Sequence, residues 1–147
     1  MKMVLIVSFI LLSSQKVFSN DFLIKKKSSY SVKITLDRFV NSAKKKGLTI
    51  FSRIDHQVNA SKLNLKMHEE EVIIFGNPKI GTALMIENPL VGLELPLKMM
   101  AYSDKKGQVR LSYLDPSYYK KNYLIKNEKL LGKMTLALEK LSDSSIK

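Results

Sequence analysis

The feature that most constrains the fold of this chain is an apolar run that ends in a tight Gly-Asn-Pro break. Residues 72–75 read Val-Ile-Ile-Phe, which has the length and β-branched composition of a buried strand. Asn77 suits the N-cap of a helix, and Pro78 suits the first helical position, where no N–H is needed. The helix is expected to end before Pro89, because a residue that precedes proline avoids helical geometry. The break therefore predicts a central strand followed at once by a helix.

The segment before this break predicts two strands around one amphipathic helix. Residues 30–34 alternate apolar and polar side chains, which predicts a strand, and Thr35 follows as the expected N-cap. Apolar residues then recur at helical spacing on one face: Leu36, Phe39, Val40 and Ala43. Lysines in the last turn suit the helix dipole, and Gly47 suits the position just beyond it. Residues 48–54 predict the second strand.

The remaining segments predict a weak helix, a hairpin and a long final helix. Residues 56–65 are weakly helical, while residues 97–103 and 108–113 alternate around a turn that ends in glycine. Asn127 is the expected cap of a last helix whose apolar stripe packs on the core. A chain of about five strands with an early and a late helix predicts an α+β domain, with helices on one face of a largely antiparallel sheet.

The N-terminus has the pattern of a secretory signal peptide. A short basic start precedes an apolar run at residues 4–12, and small residues follow at the usual cleavage positions. Residues 1–19 are expected to be removed, residues 20–29 to form a mobile lead-in, and residues 30–147 to form a single domain. An uncleaved anchor or a buried first helix is the alternative. The mature chain is expected in the periplasm or outside the cell, with no transmembrane segment after signal removal.

The charge of the chain does not indicate nucleic-acid binding. The formal net charge is +12, but the lysines are scattered and greatly outnumber the arginines. The lysine runs at residues 25–27 and 44–46 contain no aromatic residues, which base stacking would require on the same face. Nucleic acid is therefore not an expected partner, and weak attraction to anionic lipid or polymer is the alternative.

No metal or cofactor is expected from the sequence. There is no cysteine, so no thiolate ligand and no haem-attachment motif is present. His68 lies beside three glutamates, but no second histidine has ligand spacing to it, which favours a solvated loop. The methionines fall at apolar positions and are expected to fill the core. A serine triad is unsupported, because no G-x-S-x-G motif occurs.

Six residues at the ends of predicted elements are candidates for ligand binding: Asp55, His56, Asn77, Lys79, Thr82 and Tyr113. His56 follows Asp55 directly after a strand, where a rigid scaffold delivers a side chain to a loop. A histidine there can exchange protons or sense pH, or else it only fixes the turn.

The other candidates lie at a helix start and on the hairpin. Asn77, Lys79 and Thr82 begin a helix whose free N–H groups favour a small anion, although a plain capping turn explains them too. Tyr113 opens a tyrosine-rich stretch that either lines a ligand site or a subunit interface, or covers the sheet edge. The candidates are expected to converge on one site.

Four segments together resemble a known family pattern. Residues 51–56 resemble its F-x-x-I-D-H strand end, and residues 75–85 its F-G-N-P-K-x-G-T-x-L-M core. Residues 93–98 and 112–116 resemble its G-L-D-L-P-L-K and S-Y-x-D-P pair. The chain is thus identified as similar to domain-of-unknown-function family 302.

The resemblance implies a fold and an assembly but no activity. Family members are compact α+β domains of the TATA-binding-protein-like type, with a curved antiparallel sheet, and they can be dimeric. This chain departs from the pattern at Ala83, where proline is usual, and at Glu94, where aspartate is usual.

The sequence favours a binding module over an enzyme. We expect an exported homodimer that holds a small ligand or a partner. An enzyme with His56 as general acid or base is one alternative, although a positioned partner group is needed for such chemistry. A structural envelope protein that acts through protein contacts is the other.

Overall fold

The computed structural model of the chain describes residues 22–147. Its strands are β1 Leu23–Lys27, β2 Thr49–Asp55, β3 Glu70–Gly76, β4 Leu97–Ser103 and β5 Val109–Leu114. Its α-helices are α1 Val32–Lys45, α2 His56–Lys62, α3 Pro78–Glu87, α4 Ser117–Tyr123 and α5 Glu128–Ile146, with a 3₁₀ helix at Pro89–Leu93. The signal peptide predicted at residues 1–19 lies outside the described residues.

The strands form one antiparallel sheet in the order β1-β5-β4-β3-β2. β3 is an inner strand: its Phe75 pairs with Ile50 of β2 on one side and with Leu97 of β4 on the other. The predicted hairpin joins β4 to β5, with Met100 opposite Ser112. The predicted α+β class and the antiparallel sheet are both confirmed.

The main core lies between the sheet and the helices α1 and α5. Alternate side chains of the inner strands, such as Ile73 and Phe75 of β3, meet Phe39 of α1 and Leu141 of α5 there. The rings of Phe39 and Phe75 make an edge-to-face contact, with centroids 4.8 Å apart. Side chains at the intervening positions, such as Val72, lie on the opposite face of the sheet, because strand side chains alternate.

A smaller core closes one end of the sheet. It joins α3, the 3₁₀ helix, α4 and the first half of α5, and it buries Leu84, Val91, Tyr119, Ile125 and Met134. Asn88 connects two of these pieces, because its side-chain amide donates to the Tyr123 carbonyl at 2.8 Å. The sequence predicted no helix at residues 117–123, so this second core was not anticipated.

The predicted strand at residues 30–34 is wrong, because this segment begins α1. Ser31 is the N-cap, and its Oγ accepts from the Ile34 N–H at 3.3 Å. Thr35 is not a cap but a buried helical residue whose hydroxyl donates to the Ser31 carbonyl at 2.8 Å. Five alternating residues are too short a pattern to separate a strand from the first turn of an amphipathic helix.

The mobile lead-in predicted for residues 20–29 is corrected by β1, which pairs with β5 along its whole length. Lys26 points toward α5, where its Nζ donates to Ser142 Oγ at 2.8 Å and to Asp143 Oδ1 at 2.7 Å. The ammonium group of Lys26 therefore finds its partners on a helix, 116 and 117 positions later in the sequence. A local reading of a lysine run cannot anticipate such a partner.

Several local predictions are confirmed. Asn77 caps α3 with Pro78 at its start, and α3 ends before Pro89. Gly47 follows α1 with φ of 73°, in the left-handed region that favours glycine. Asn127 caps α5 by accepting from the Leu130 N–H at 3.1 Å.

Candidate functional site

A cavity of about 270 Å³ lies where β3 ends and α3 begins. Its wall comes from β2, from α3, from the segment that leads into β4, and from α5. The side chains that form most of it are Phe51, Ile80, Met85, Leu95, Leu97 and Met134. The same Gly-Asn-Pro break that ends the buried strand therefore also forms one side of this cavity.

The cap of α3 fixes the backbone on that side. Asn77 Oδ1 accepts from the Lys79 N–H at 3.0 Å, and the Asn77 carbonyl accepts from the Gly81 N–H at 2.9 Å. The facing segment contains a cis peptide bond between Leu95 and Pro96. The start of α3 and this segment both line the cavity.

Two glycines contribute to the volume of the cavity, because they have no side chain to fill it. A Cβ on Gly81 would lie 3.7 Å from Leu95 Cδ1, and a Cβ on Gly76 would lie 3.7 Å from Phe51 Cε2. Both distances are ordinary van der Waals contacts with side-chain atoms of the cavity wall, so a methyl group at either position would occupy space beside that wall. The cavity is thus widened by the small residues of the Phe-Gly-Asn-Pro segment and of α3.

The cavity is mainly apolar and partly open. Asn77 and Thr82 are the polar side chains on its wall, and Phe51 and Met85 are 51% and 38% exposed at its edge. Ligand sites commonly combine an apolar wall with a few polar groups that orient the ligand. This arrangement suits a small apolar molecule that carries one hydrogen-bonding group.

The structure brings only two of the six predicted site residues to this cavity. Asn77 and Thr82 line it, whereas Lys79 is exposed on the first turn of α3 and is not part of its wall. The binding role of these residues stays a prediction.

Asp55 and His56 lie at the other end of the sheet, so the expected convergence is wrong. Asp55 pairs with Glu71, whereas Thr49 pairs with Gly76. With a rise of about 3.3 Å per residue, roughly 17 Å of strand separates these two pairs. The antiparallel pairing of β2 with β3 causes the separation, because the end of one strand lies beside the start of the other.

Asp55 and His56 also have a local structural role. Asp55 is the N-cap of α2, and its Oδ1 accepts from the Val58 N–H at 2.8 Å. His56 is the first residue of that helix and is partly exposed. Asp55 lines a small polar depression together with Glu69, Glu70 and Glu71. Within residues 22–147, no group of three or more histidine or acidic side chains is placed to hold a metal ion.

Tyr113 belongs to the main core rather than to the α3 cavity. It is 7% exposed, and its hydroxyl accepts from Ser142 Oγ at 3.5 Å under α5. The other tyrosines form a separate edge-to-face cluster in α4, where Tyr118 contacts both Tyr119 and Tyr123. The tyrosine-rich stretch thus serves two different cores, and the structure divides what the sequence suggested was one cluster.

Glu94 links the α4 cluster to the segment before β4. The Tyr123 hydroxyl donates to Glu94 Oε1 at 2.9 Å, and this hydrogen bond is the main reason that the pKa of Tyr123 is raised. Burial raises the pKa of Tyr119 well above its usual range, and the nearby Glu94 charge adds to the effect. Glu94 is therefore held by a hydrogen bond where the family pattern usually has aspartate.

Sequence reasoning missed most of the apolar wall. Phe51, Leu95 and Leu97 all fall inside the segments that resemble the family pattern, and this position was an available signal. Met134 carried no such signal, because its place in the wall depends on how α5 packs across the sheet end.

The fold and site define the chain as a small α+β domain with a cavity at a strand-to-helix junction. The domain of unknown function DUF302 matches residues 24–141, and the chain belongs to this family. A crystal structure of an uncharacterised conserved DUF302 protein from Bacillus stearothermophilus has the same fold. The TM-score is 0.75 at 18% identity, over 84% of this chain and 98% of that one.

Longer curated proteins also match part of the chain. It is 38% identical over 96 residues to the fluoride-specific ion channel FluC 1 of Brucella suis, covering 65% of this chain and 38% of that protein. The FluC 1 of Brucella abortus matches at the same identity over 36% of its length. The chain thus spans little more than a third of these relatives. Among the helices of residues 22–147, none has the length and apolar character needed to cross a bilayer.

Proposed function

We propose that this DUF302 chain is a binding module that holds a small, mainly apolar molecule in the cavity beside α3. The observation that carries the proposal is the cavity itself: about 270 Å³ of space, enclosed largely by apolar side chains and bordered by the family's Phe-Gly-Asn-Pro segment. Glycines at positions 76 and 81 keep this space open, although neither has the positive φ that would require glycine.

The expected ligand is apolar with one neutral polar group. The wall offers the Asn77 amide and the Thr82 hydroxyl, which hydrogen-bond neutral groups as readily as charged ones. Lys79, the cation that favoured a small anionic ligand in the sequence, is not part of the wall. An aromatic or cyclic alcohol therefore suits the cavity better than a small anion does.

The binding proposal is tested directly by comparing the wild-type chain with a variant whose added side chain fills the cavity. We expect benzyl alcohol or cyclohexanol to shift amide NMR signals of Gly76, Gly81 and Thr82 in the wild-type chain. Gly81→Leu should abolish these shifts, since its side chain projects toward Leu95. Gly132→Leu is the matched control: Gly132 is an exposed glycine in α5, and no heavy atom outside its own helix lies within 4 Å of the added Cβ. Equal binding by wild type and Gly81→Leu would overturn the proposal.

We also propose that the module is a homodimer that buries apolar residues next to this cavity. Exposed side chains continue from Met85 along α3 and the 3₁₀ helix: Ile86 is 81%, Leu90 61% and Leu93 78% exposed. Several exposed apolar side chains within one short segment are typical of a protein contact. A second copy is the expected occupant, in line with the assembly implied by the family resemblance.

Sedimentation equilibrium tests the dimer separately from the ligand. Ile86→Lys combined with Leu93→Lys should convert a dimer to a monomer. Leu63→Lys, which changes a 70% exposed leucine at the end of α2, should leave the mass unchanged. A wild-type chain that sediments as a monomer at every concentration would contradict the dimer and leave the ligand proposal standing.

The enzyme alternative receives less support than the binding module. Asp55 is the acid next to His56, but its carboxylate is engaged with the Val58 N–H. His56 is not part of the α3 cavity wall.

Export to the periplasm or beyond remains part of the proposal. The signal segment that motivates it lies outside the described residues. Detection of the chain in the cytoplasm with residues 1–19 intact would contradict export.

A further inference from the structure

The face of the sheet opposite α1 and α5 carries a second cavity, of about 220 Å³. Val72, Met100 and Ser112 are consecutive partners across β3, β4 and β5, so they form one row on this face. They line the cavity together with Leu23 and Leu114 at the β1 side. Its lining residues differ from those of the α3 cavity except for Leu97, which borders both.

Ser112 gives this cavity an unusual polar group. The residue is 3% exposed, and its Oγ has no hydrogen-bond partner among residues 22–147. A buried hydroxyl without a partner costs about 1–3 kcal/mol, so such groups are normally satisfied. The hydroxyl lies on the cavity face, beside the flexible Met100 side chain, where a bound molecule can supply the missing partner.

Lys98 supplies a cation at the rim of the same cavity. It lies two residues before Met100 in β4, so it shares the face of Ser112 and is its diagonal neighbour across the hairpin. Its Nζ donates to the Glu94 carbonyl at 3.2 Å, which leaves its other protons for a ligand. Glu94 also borders the cavity, but its carboxylate accepts from the Tyr123 hydroxyl.

Two of the sequence segments that resemble the family pattern meet at this place, and the first of them also lines the α3 cavity through Leu95, Pro96 and Leu97. Residues 93–98 contribute Glu94, Leu97 and Lys98, and residues 112–116 contribute Ser112 and Leu114. The segments are far apart in sequence and are brought together by the β4–β5 hairpin. A binding role here explains why both segments carry polar residues beside apolar ones.

We propose that this cavity binds a small carboxylic acid with an aliphatic tail. The tail packs against Val72, Met100 and Leu114, while one carboxylate oxygen accepts from Lys98 and the other from the Ser112 hydroxyl. A carboxylate satisfies both donors at once, which a neutral apolar ligand does not. The site is independent of the proposed α3 ligand.

Titration of the full chain with sodium octanoate below its micelle concentration tests the proposal. Octanoate should shift the amide NMR signals of Val72, Met100, Ser112 and Leu114. Lys98→Gln should weaken binding about 10-fold or more, because a hydrogen bond to a charged group is lost. Ser112→Ala should weaken binding about 5-fold through loss of the hydroxyl donor.

Matched controls separate this site from general effects. Lys105→Gln in the β4–β5 turn and Ser52→Ala, on a strand outside the cavity, should leave octanoate affinity unchanged. Gly81→Leu should also leave it unchanged, so a failure of the α3 ligand proposal is distinguishable from a failure here. The proposal is overturned if octanoate shifts no signal, shifts only Gly81 and Thr82, or binds Lys98→Gln as tightly as wild type.

Discussion

Gly81 of α3 lies next to Leu95 in the wall of the α3 cavity, and a methyl group on Gly81 would lie 3.7 Å from Leu95 Cδ1. This distance is a favourable contact, and Gly81 does not have a positive φ. The glycine is therefore not needed by the backbone of α3. The missing side chain of Gly81 therefore adds to the volume of the cavity and is not required by the fold.

Gly81→Ala should consequently stabilise the chain. Alanine in a helix is favoured over glycine by about 0.5–1 kcal/mol, because it loses less backbone entropy on folding. Urea unfolding measures the change, and Gly132→Ala in α5 should give a similar gain with no cavity nearby. A loss of stability in Gly81→Ala alone would show that α3 and Leu95 pack more tightly than the contact distance indicates.

Phe39 and Phe51 should respond very differently to truncation. Phe39 is fully buried against Phe75, so Phe39→Ala should cost about 3–5 kcal/mol in the free energy of unfolding. Phe51 is 51% exposed at the cavity edge, so Phe51→Ala should cost only about 1 kcal/mol. Chemical unfolding of both variants checks this difference, and equal losses would contradict the assignment of the core to the α1 side of the sheet.

The sequence predicts the fold well where local chemistry decides it. Asn77-Pro78, Gly47 and Asn127 each specify a helix boundary through their own side chain or backbone, and each is found as predicted. The sheet follows from strands whose apolar patterns are long enough to be unambiguous, such as residues 72–75. The same local signals fail at residues 30–34, where a short alternation and a helix start look alike.

The candidate site is less predictable because it depends on contacts between distant segments. His56 and Asn77 both follow strands. Because β2 and β3 are antiparallel, the C-terminal ends of these strands lie at opposite ends of the sheet. Met134 reaches the α3 cavity only through the packing of α5. Lys26 likewise finds Asp143 across the structure. Local propensity says nothing about partners of this kind.

The cap at Asn77 should be measurable apart from the cavity that it borders. Asn77→Ala removes the acceptor for the Lys79 N–H and should cost about 1 kcal/mol, whereas Asn77→Asp keeps an acceptor and should cost less. Asn127→Ala, at the start of α5, is a matched control away from the cavity and should show a similar loss. Equal stability of Asn77→Ala and wild type in urea unfolding would contradict this capping role.

Asp37 should make the stability of the chain depend on acid pH. Hydrogen bonds from Lys33 and then Arg53 lower the pKa of Asp37 below its usual value. Because the folded pKa is the lower one, the stabilisation is complete above about pH 3.9 and is lost as pH falls through the folded pKa. The carboxylate is 38% exposed, so the effect should stay under about 1 kcal/mol.

Asp37→Asn tests this dependence. The variant should be less stable than wild type near pH 7, and the difference should be smaller at about pH 2, because wild-type Asp37 loses its charge as pH falls through its folded pKa. Urea unfolding at both pH values measures the two differences. A difference that stays constant with pH would show that the substitution acts through packing and not through the ion pairs with Lys33 and Arg53.

Tyr123 should make the stability of the chain fall as pH rises into the alkaline range. Its hydroxyl donates to Glu94, which holds the pKa of Tyr123 above that of a free tyrosine. Because the folded pKa is the higher one, the stabilisation is complete below about pH 10 and is lost as pH rises through the folded pKa. An ultraviolet titration of phenolate formation should show Tyr123 ionising late, and Tyr123→Phe should remove one late-titrating group. Glu94→Gln removes the carboxylate and should return the pKa of Tyr123 toward that of a free tyrosine. If Glu94→Gln leaves the titration unchanged, the hydrogen bond is not the cause of the shift.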